Sequence, residues 1–541
     1  MNVDGSKSIS PAVNAGRIIG FLVILAVAAL GLLSLPETLG GDQALFMIYA
    51  AQINEGALLY RDVWDIKQPG IFVFYLIAGK LFGFTEFGVH FFELLYWLAF
   101  SLVLQRTLKD YFRHRLFALL TPLLTVGVYY AVSGSWHLTQ VEGLASFPIY
   151  LSLWLAVQSL SAETPSKKFN LLFLSGFFGG VVLILKLMFL PIIGLFWLCV
   201  LYRILAERKT SFSAALTRSV APLLLGAVIL PVACLAYFAS NDLQGIVYYT
   251  FFVYPPQAMI ELGSEDRLPI LKRGLWWFLS NFKTLIILAG TWFVLTLLRS
   301  RKSGRVLIKE LFSLWREIDL FTAGLVIWLI VGLGVILAQR LSWWEYHYLL
   351  LFAPLGILAA KGIDSLWERA KRLKLFSKLT GKAAFAVCVM LLFFPTLYQI
   401  ARKAKSALVH NLNAEKTERF AAYGDLSDKY QTVRNETAFL NEPGSRPGRI
   451  FVSGHPLYYY LSRRPPALAS NGWMPQFFLA EQWQRLRSEI DEKKPVYILI
   501  EHTFRKITDE RSPATIRFLE ERYHLRSKGK DIDCYELRSD R

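Results

Sequence analysis

"NLLFLSGFFGGVVLILKLMFLPIIGLFWLCVLYRI", residues 170–204, stays apolar for longer than the roughly 20 residues that one helix needs to cross a bilayer. Read as a single tilted span, it would turn every later segment to the other side of the membrane. Read as two spans broken between Lys186 and Pro191, it leaves those segments in step with their flanking charges. Lys and Arg collect on the cytoplasmic side of a membrane, and the basic clusters beyond this stretch agree with the break.

The rest of the chain has the same character. Of 541 residues 54% are hydrophobic and 18% charged, with 40 Phe and 15 Trp, which is too apolar for a soluble enzyme of this length. Apolar runs near 17–35, 88–105, 116–132, 142–160, 170–187, 188–204, 219–239, 276–298, 319–338, 348–365 and 382–400 predict a polytopic α-helical bundle of about eleven spans. The run from Ile18 to Leu35 lacks a small-x-small cleavage pattern and reads as a retained first span. Residues 1–400 form the bundle and 401–541 a mixed, charged tail domain.

Net charge is +18, but the cations sit in short clusters between apolar runs, a pattern of topology and not of nucleic-acid binding. The inner loops carry Arg106, Lys109, Arg113 and Arg115; Lys167 and Lys168; Arg203, Arg208, Lys209 and Arg218; Arg299, Arg301, Lys302 and Arg305; and Arg369, Lys371, Arg372, Lys374 and Lys378. The outer turns "SGSWHLTQ" (133–140) and "QRLSWWEYH" (339–347) hold one basic residue, Arg340. An odd span count puts the two ends on opposite sides, and the charge asymmetry places the N-terminus inside and the tail outside. Cys199, Cys234, Cys388 and Cys534 have no metal-type spacing and read as small packing residues.

The loop 36–88 then faces outward, longer than a connector requires. Within it Phe46, Tyr49, Ala50 and Ile53 fall at helical spacing, which predicts a helix lying in the interface. A second such helix runs from Ile71 to Phe82, closed by Gly83, and the two flank the polar hairpin "YRDVWDIKQPG" (60–70). Asp42, after Gly40 and Gly41, suits a helix N-cap. Asp62, Asp65 and Lys67 suit a solvated turn, and Lys186 suits a snorkelling lysine. Glu142, in "HLTQVEGLASFPIY" (137–150), is comfortable beside a positive helix terminus, and His347 belongs to an aromatic interface belt. All of them reach one face. Acids and a lysine there suit group transfer from a lipid phosphate: a carboxylate takes the acceptor's proton and a cation neutralises the leaving phosphate. Such a leaving group requires no metal, though the chemistry does not bar a divalent ion.

"GDQALFMIYAAQINEGALLYRDVWDIKQPGIFVFYLIAGKLFGFTEFGVH" (41–90) resembles the first outer loop of the GT-C membrane glycosyltransferases that use polyprenyl-phosphate sugars, the group of aminoarabinose transferases and protein O-mannosyltransferase-like enzymes. "GGVVLILKLMFLP" (179–191) and "WWEYHYLLLFAPLGILAA" (343–360) resemble later family segments, and "RIFVSGHPLYYYLSRRPPALAS", "KPVYILIE" and "FLEERYHLRSKGKDIDCYELR" resemble its small outer α/β domain. The resemblance implies that Asp42 is the catalytic acid, Glu142 the second acid and Lys67 the contact to the donor phosphate. Gln43, Tyr60, Asp62, Asp65 and His347 are further substrate-binding candidates. Three positions depart from the family pattern: Gln43 stands where a second acid is usual, Lys67-Gln68-Pro69 replaces Lys-Pro-Pro, and Leu45 replaces an arginine. Phosphate binding would then lean on Lys67 with Lys186, Arg340 or an outer-loop basic residue such as Arg267, Lys272 or Arg273. The implied activity is transfer of a sugar from a polyprenyl-phosphate donor to a cell-envelope acceptor. A lipid-linked oligosaccharide ligase or polymerase is the alternative enzyme. A lipid-linked glycan transporter would need charges at mid-membrane, where the spans read as almost wholly apolar.

Overall fold

In hydrocarbon the backbone has no water to bond to, so each long apolar run closes its hydrogen bonds on itself as a helix. The computed structural model describes residues 11–208, 213, 216–263, 266–300, 318–374, 379–413 and 428–538. Among them ten helices are long and apolar enough to cross a membrane, and the bent pair Thr380–Leu392 and Phe394–Leu412 makes an eleventh if counted as one span. That matches the expected number. Lys209, Arg301, Lys302, Arg305 and Lys378, counted above among the inner cations, lie outside the described residues.

The stretch 170–204 is broken as its charge pattern requires. The helix Pro165–Leu185 stops at Lys186, whose backbone is extended, and one 3-10 turn leads into the helix Leu190–Arg208. Pro191 falls in the first turn of the new helix, where its missing N–H costs nothing. The first helix of this pair lies so close to the helix Ala221–Ser240 that side chains are excluded. A Cβ at Gly176 would enter the carbonyl oxygen of Leu223, one at Gly180 would stand 2.6 Å from that of Ala227, and one at Gly226 would enter that of Phe173. Small residues four apart that let two backbones meet are a common membrane device.

Four helices open the chain: α1 (Pro11–Leu32), α2 (Gly41–Asn54), α3 (Pro69–Phe82) and α4 (Glu86–Thr107). α3 is split as an interfacial helix should be, with Val73, Ile77 and Leu81 exposed and Phe72, Tyr75 and Ala78 buried. α2 departs from expectation. Its buried residues run all the way round, from Gln43 through Ala50, because the tail domain covers the side expected to meet water. The N-cap of α2 is Gly40, not Asp42; the Gly40 N–H donates to Gln43 Oε1 at 2.7 Å.

The tail folds as expected around a four-stranded sheet of order β1-β2-β4-β3, formed by β1 (Ile450–Ser453), β2 (Tyr497–Glu501), β3 (Tyr523–Lys528) and β4 (Ile532–Leu537). β1 and β2 are parallel and the other two pairings antiparallel. β3, which the residue pattern did not announce, is an edge strand whose exposed His524, Arg526 and Lys528 discourage further pairing. Residues 474–493 form a 3-10 turn, Met474–Phe477, followed by the helix Ala480–Lys493.

This domain is stitched to the bundle by specific bonds. Trp64 N donates to Ala469 O at 2.8 Å, Tyr254 Oη to Phe477 O at 2.6 Å, and Tyr460 Oη to Glu86 at 2.6 Å. The Trp473 ring lies against Gly41, where no Cβ would fit. The helix Phe394–Asn413 runs through residue 400, and its Lys403 ammonium bonds Ser34 Oγ at 2.8 Å and Ser133 O at 2.9 Å and pairs with Glu37 at 3.6 Å. At the other end of the bundle His114 pairs with Asp364 at 2.8 Å and Glu368 at 2.9 Å. The spans are less purely apolar than expected. Glu93, in α4, is fully buried.

The close backbone approach gives a stability prediction. Gly226→Val is expected to lower unfolding free energy by about 1–3 kcal/mol through overpacking, whereas Gly290→Val, where a Cβ would meet no neighbouring segment within 4 Å, should shift it by less than about 0.5 kcal/mol. Thermal unfolding of the detergent-solubilised chain measures both, and equal effects would refute the packing account.

Candidate active site

Four elements deliver charged side chains to one place on the domain-bearing face. Asp42 sits in the first turn of α2. Asp65 and Lys67 belong to the hairpin between α2 and α3, Glu142 opens the span Val141–Ser161, and Lys186 occupies the break between two spans. Tyr346 and His347 come from the 3-10 segment Glu345–Leu351. The approach is enforced by glycine again. A Cβ at Gly70, in the first turn of α3, would stand 2.6 Å from Ile184 O, so the segment following Lys67 packs on the chain just before Lys186.

The hairpin is held from within. Tyr60, with a left-handed φ of 73°, donates its hydroxyl to Lys67 O at 2.8 Å, and the Lys67 N–H donates to Asp65 Oδ1 at 2.9 Å. Trp64 reaches Thr250 Oγ1 at 3.0 Å. Asp62 faces away: it accepts from Leu58 N at 2.8 Å and pairs with Arg61 at 3.0 Å, the arrangement of a solvated turn.

Lys67 Nζ stands 3.6 Å from Asp42 Oδ2 and 3.6 Å from Asp65 Oδ1. Tyr346 Oη donates to Asp42 Oδ2 at 3.0 Å. A second pair lies beside this one: Lys186 Nζ donates to Glu142 Oε1 at 2.5 Å, and His347 Nε2 is 3.5 Å from the same oxygen. The three acids differ in access. The Asp42 side chain is 22% exposed, that of Glu142 3% and that of Asp65 not at all. A hydroxyl arriving from water can therefore reach Asp42 and neither of the others.

Burial pushes the Asp65 carboxyl above its ordinary range; Lys67 opposes this and Asp42 adds to it. Asp65 Oδ2 has no hydrogen-bond partner. For Lys67 burial pulls the ammonium down, but Asp42, Asp65 and Glu142 together outweigh it and hold it above its usual value. Lys67 is thus a fixed positive charge at neutral pH.

The remaining candidates fall elsewhere. Gln43 is fully buried, with Oε1 taken by Gly40 N and Nε2 donating to Leu138 O, so its amide braces the fold. Arg340 is exposed and makes no ion pair among the described residues; it lines a cavity of about 340 Å³ with Leu262, Asp266, Arg267 and Trp343. Arg267 donates to Leu341 O at 2.7 Å, Arg273 pairs with Glu345 at 2.7 Å, and Lys272 is exposed. Tyr346 was not among the residues expected here; a polar ring inside "SWWEYHYLLL" is its signal in the sequence.

The raised Asp65 pKa makes a signed prediction. An acid bound to its proton more tightly when folded loses stability as pH rises from its unfolded pKa through its folded one. Asp65→Asn removes that loss while keeping the Oδ1 acceptor for Lys67 N. The stability of the variant relative to the parent is expected to increase from about pH 4 to about pH 8. Thermal unfolding at both pH values tests this; a constant or shrinking difference would contradict it.

No protein-family model and no curated protein sequence matches the chain. Solved structures do. ArnT from Cupriavidus metallidurans in the apo state aligns with a TM-score of 0.59 at 13% identity, covering 97% of this chain and 98% of that one. ArnT from the same organism bound to undecaprenyl phosphate aligns with a TM-score of 0.56 at 12% identity, over 96% and 97% of the two chains. Over nearly its whole length, therefore, the chain shares the membrane fold of ArnT, the fold that the resemblance in its first outer loop implied.

Proposed function

We propose that the chain is an inverting glycosyltransferase that moves a sugar from a polyprenyl-phosphate carrier to a hydroxyl of a cell-envelope lipid, glycan or protein. The observation that carries the reading is the Lys67 ammonium held between the Asp42 and Asp65 carboxylates at 3.6 Å each, at the junction of an apolar bundle and a covering domain. The bundle suits a prenyl tail and the junction suits its polar head. ArnT bound to undecaprenyl phosphate, which shares the fold, supports a carrier of that class.

The reaction follows from the two kinds of charge. The donor phosphate approaches Lys67 and takes over part of the contact now made by Asp42. Asp42, hydrogen-bonded by Tyr346, then accepts the proton of the acceptor hydroxyl. The hydroxyl oxygen attacks the anomeric carbon opposite the phosphate, the carbon–oxygen bond to phosphate breaks, and its electron pair leaves on polyprenyl phosphate. One displacement inverts the carbon. Lys67, with Lys186 nearby, stabilises the charge that develops on the leaving oxygen. Glu142 holds Lys186 in place. The phosphate leaves as a stable anion, so the scheme requires no metal.

We place the site on the extracytoplasmic face of the inner membrane, a reading supported by the basic clusters at the opposite ends of the spans. The oligosaccharide ligase reading would use several arginines in a long late loop. Arg267, Lys272 and Arg273 instead stand apart from the Asp42 group or are paired elsewhere.

Asp42→Asn is expected to cut transfer by at least about 100-fold without changing membrane level or thermal stability. Lys67→Met should weaken use of the donor by at least about 10-fold. Mass profiling of lipids and glycans from cells with and without the gene should show one component that loses one sugar mass and so identifies both partners. Full transfer by the Asp42→Asn chain would sink the assignment.

A further inference from the structure

One fully buried carboxylate on this face belongs to none of the residues placed in the reaction. Glu93, two turns into α4, has no exposed surface and makes no ion pair among the described residues. Four donors from two other segments and its own helix converge on it. Trp97 Nε1 reaches Oε1 at 3.1 Å, Tyr129 Oη bonds the same oxygen, and Thr139 N reaches it at 2.9 Å. Thr139 Oγ1 bonds Oε2 at 3.3 Å. A buried carboxylate without a counter-ion is expensive, and it is held only where its lone pairs are met by fixed donors.

What it fixes is Thr139, a β-branched residue with φ of 55°, a conformation that sterics disfavour. Glycine would take this backbone freely; threonine takes it here with both its N–H and its hydroxyl bound to one carboxylate. The residue before it, Leu138, offers its carbonyl to Gln43 Nε2, and Gln43 adjoins Asp42. Glu142 follows Thr139 by three residues. A chain of contacts thus runs from the Asp42 helix through Gln43, Leu138 and Thr139 to Glu93, and sets where the Glu142 helix begins.

Resting on the reading of Asp42 and Glu142 given above, we infer that Glu93 is a positioning residue: it locks the 138–142 turn and so sets the spacing between the Asp42 and Glu142 carboxylates. It does not touch the reacting groups. Its charge matters less than its two acceptor oxygens, since glutamine keeps Oε1 for three of the donors and Thr139 Oγ1 can accept from the amide.

The test uses the full chain in lipid nanodiscs. Glu93→Leu is expected to speed amide hydrogen exchange across 134–142 by at least about 10-fold while the sheet strands of the tail stay protected. Turnover should fall by about 30- to 100-fold with donor KM within about threefold, the signature of misplacement and not of lost binding. Glu93→Gln should restore both to within about threefold. If Glu93→Leu does not accumulate, Thr139→Val, which removes only the bond to Oε2, should give a smaller change in the same direction. Unchanged exchange at 134–142 overturns the lock whatever the chain transfers. Faster exchange with unchanged turnover overturns its part in positioning. A parent chain that transfers no sugar from any polyprenyl phosphate would instead refute the functional reading, and the exchange measurement still decides the role of Glu93.

Discussion

One ammonium shared by two carboxylates organises the face where bundle and tail meet. Asp65 is wholly enclosed, and without Lys67 its charge would be buried and uncompensated, at a cost that single substitutions in such pairs show to be large. The hairpin is built around that requirement. Tyr60 and Asp65 grip the main chain of Lys67 from both sides, so the ammonium cannot follow Asp42 outward. The Asp42 carboxylate, in contrast, keeps one flank in water. The same cation therefore has a permanent partner and an exchangeable one.

The break in the 170–204 stretch has a role beyond counting spans. A continuous helix would carry Lys186 along its side, facing whatever its rotation dictated. An extended residue between two helices lets the side chain turn toward Glu142, while the glycines at 176 and 180 tie the preceding helix to its neighbour. Topology and site thus share one local feature.

Much of this was readable in the residues. Span number and the break at Lys186 follow from apolar run length and from charge asymmetry, which act locally or on the whole chain; the same topology brings Asp42, Lys67, Glu142 and Lys186 to one face, and the tail sheet was expected from the family resemblance of its segments. What escaped depends on contacts between distant segments. α2 looked interfacial because its sequence cannot announce that Trp473 will cover it. Asp42 looked like a cap because a carboxylate after two glycines is a good one, yet Gln43 fills that need through Gly40. Arg340 was grouped with the site on sign and side alone, and its loop carries it to a separate cavity. Glu93 sat unnoticed in an apolar run because one acid scarcely lowers the mean.

The stitching of the tail to α2 has a consequence for how the protein is made. Asp42 emerges early in synthesis, while Trp473 and Ala469, which close over its helix, emerge near the end; at ordinary ribosomal speeds the interval is on the order of tens of seconds. Through that time α2 exists without its cover and with apolar sides exposed. The first helix of the site must wait, at the membrane surface, for the last domain of the chain to arrive.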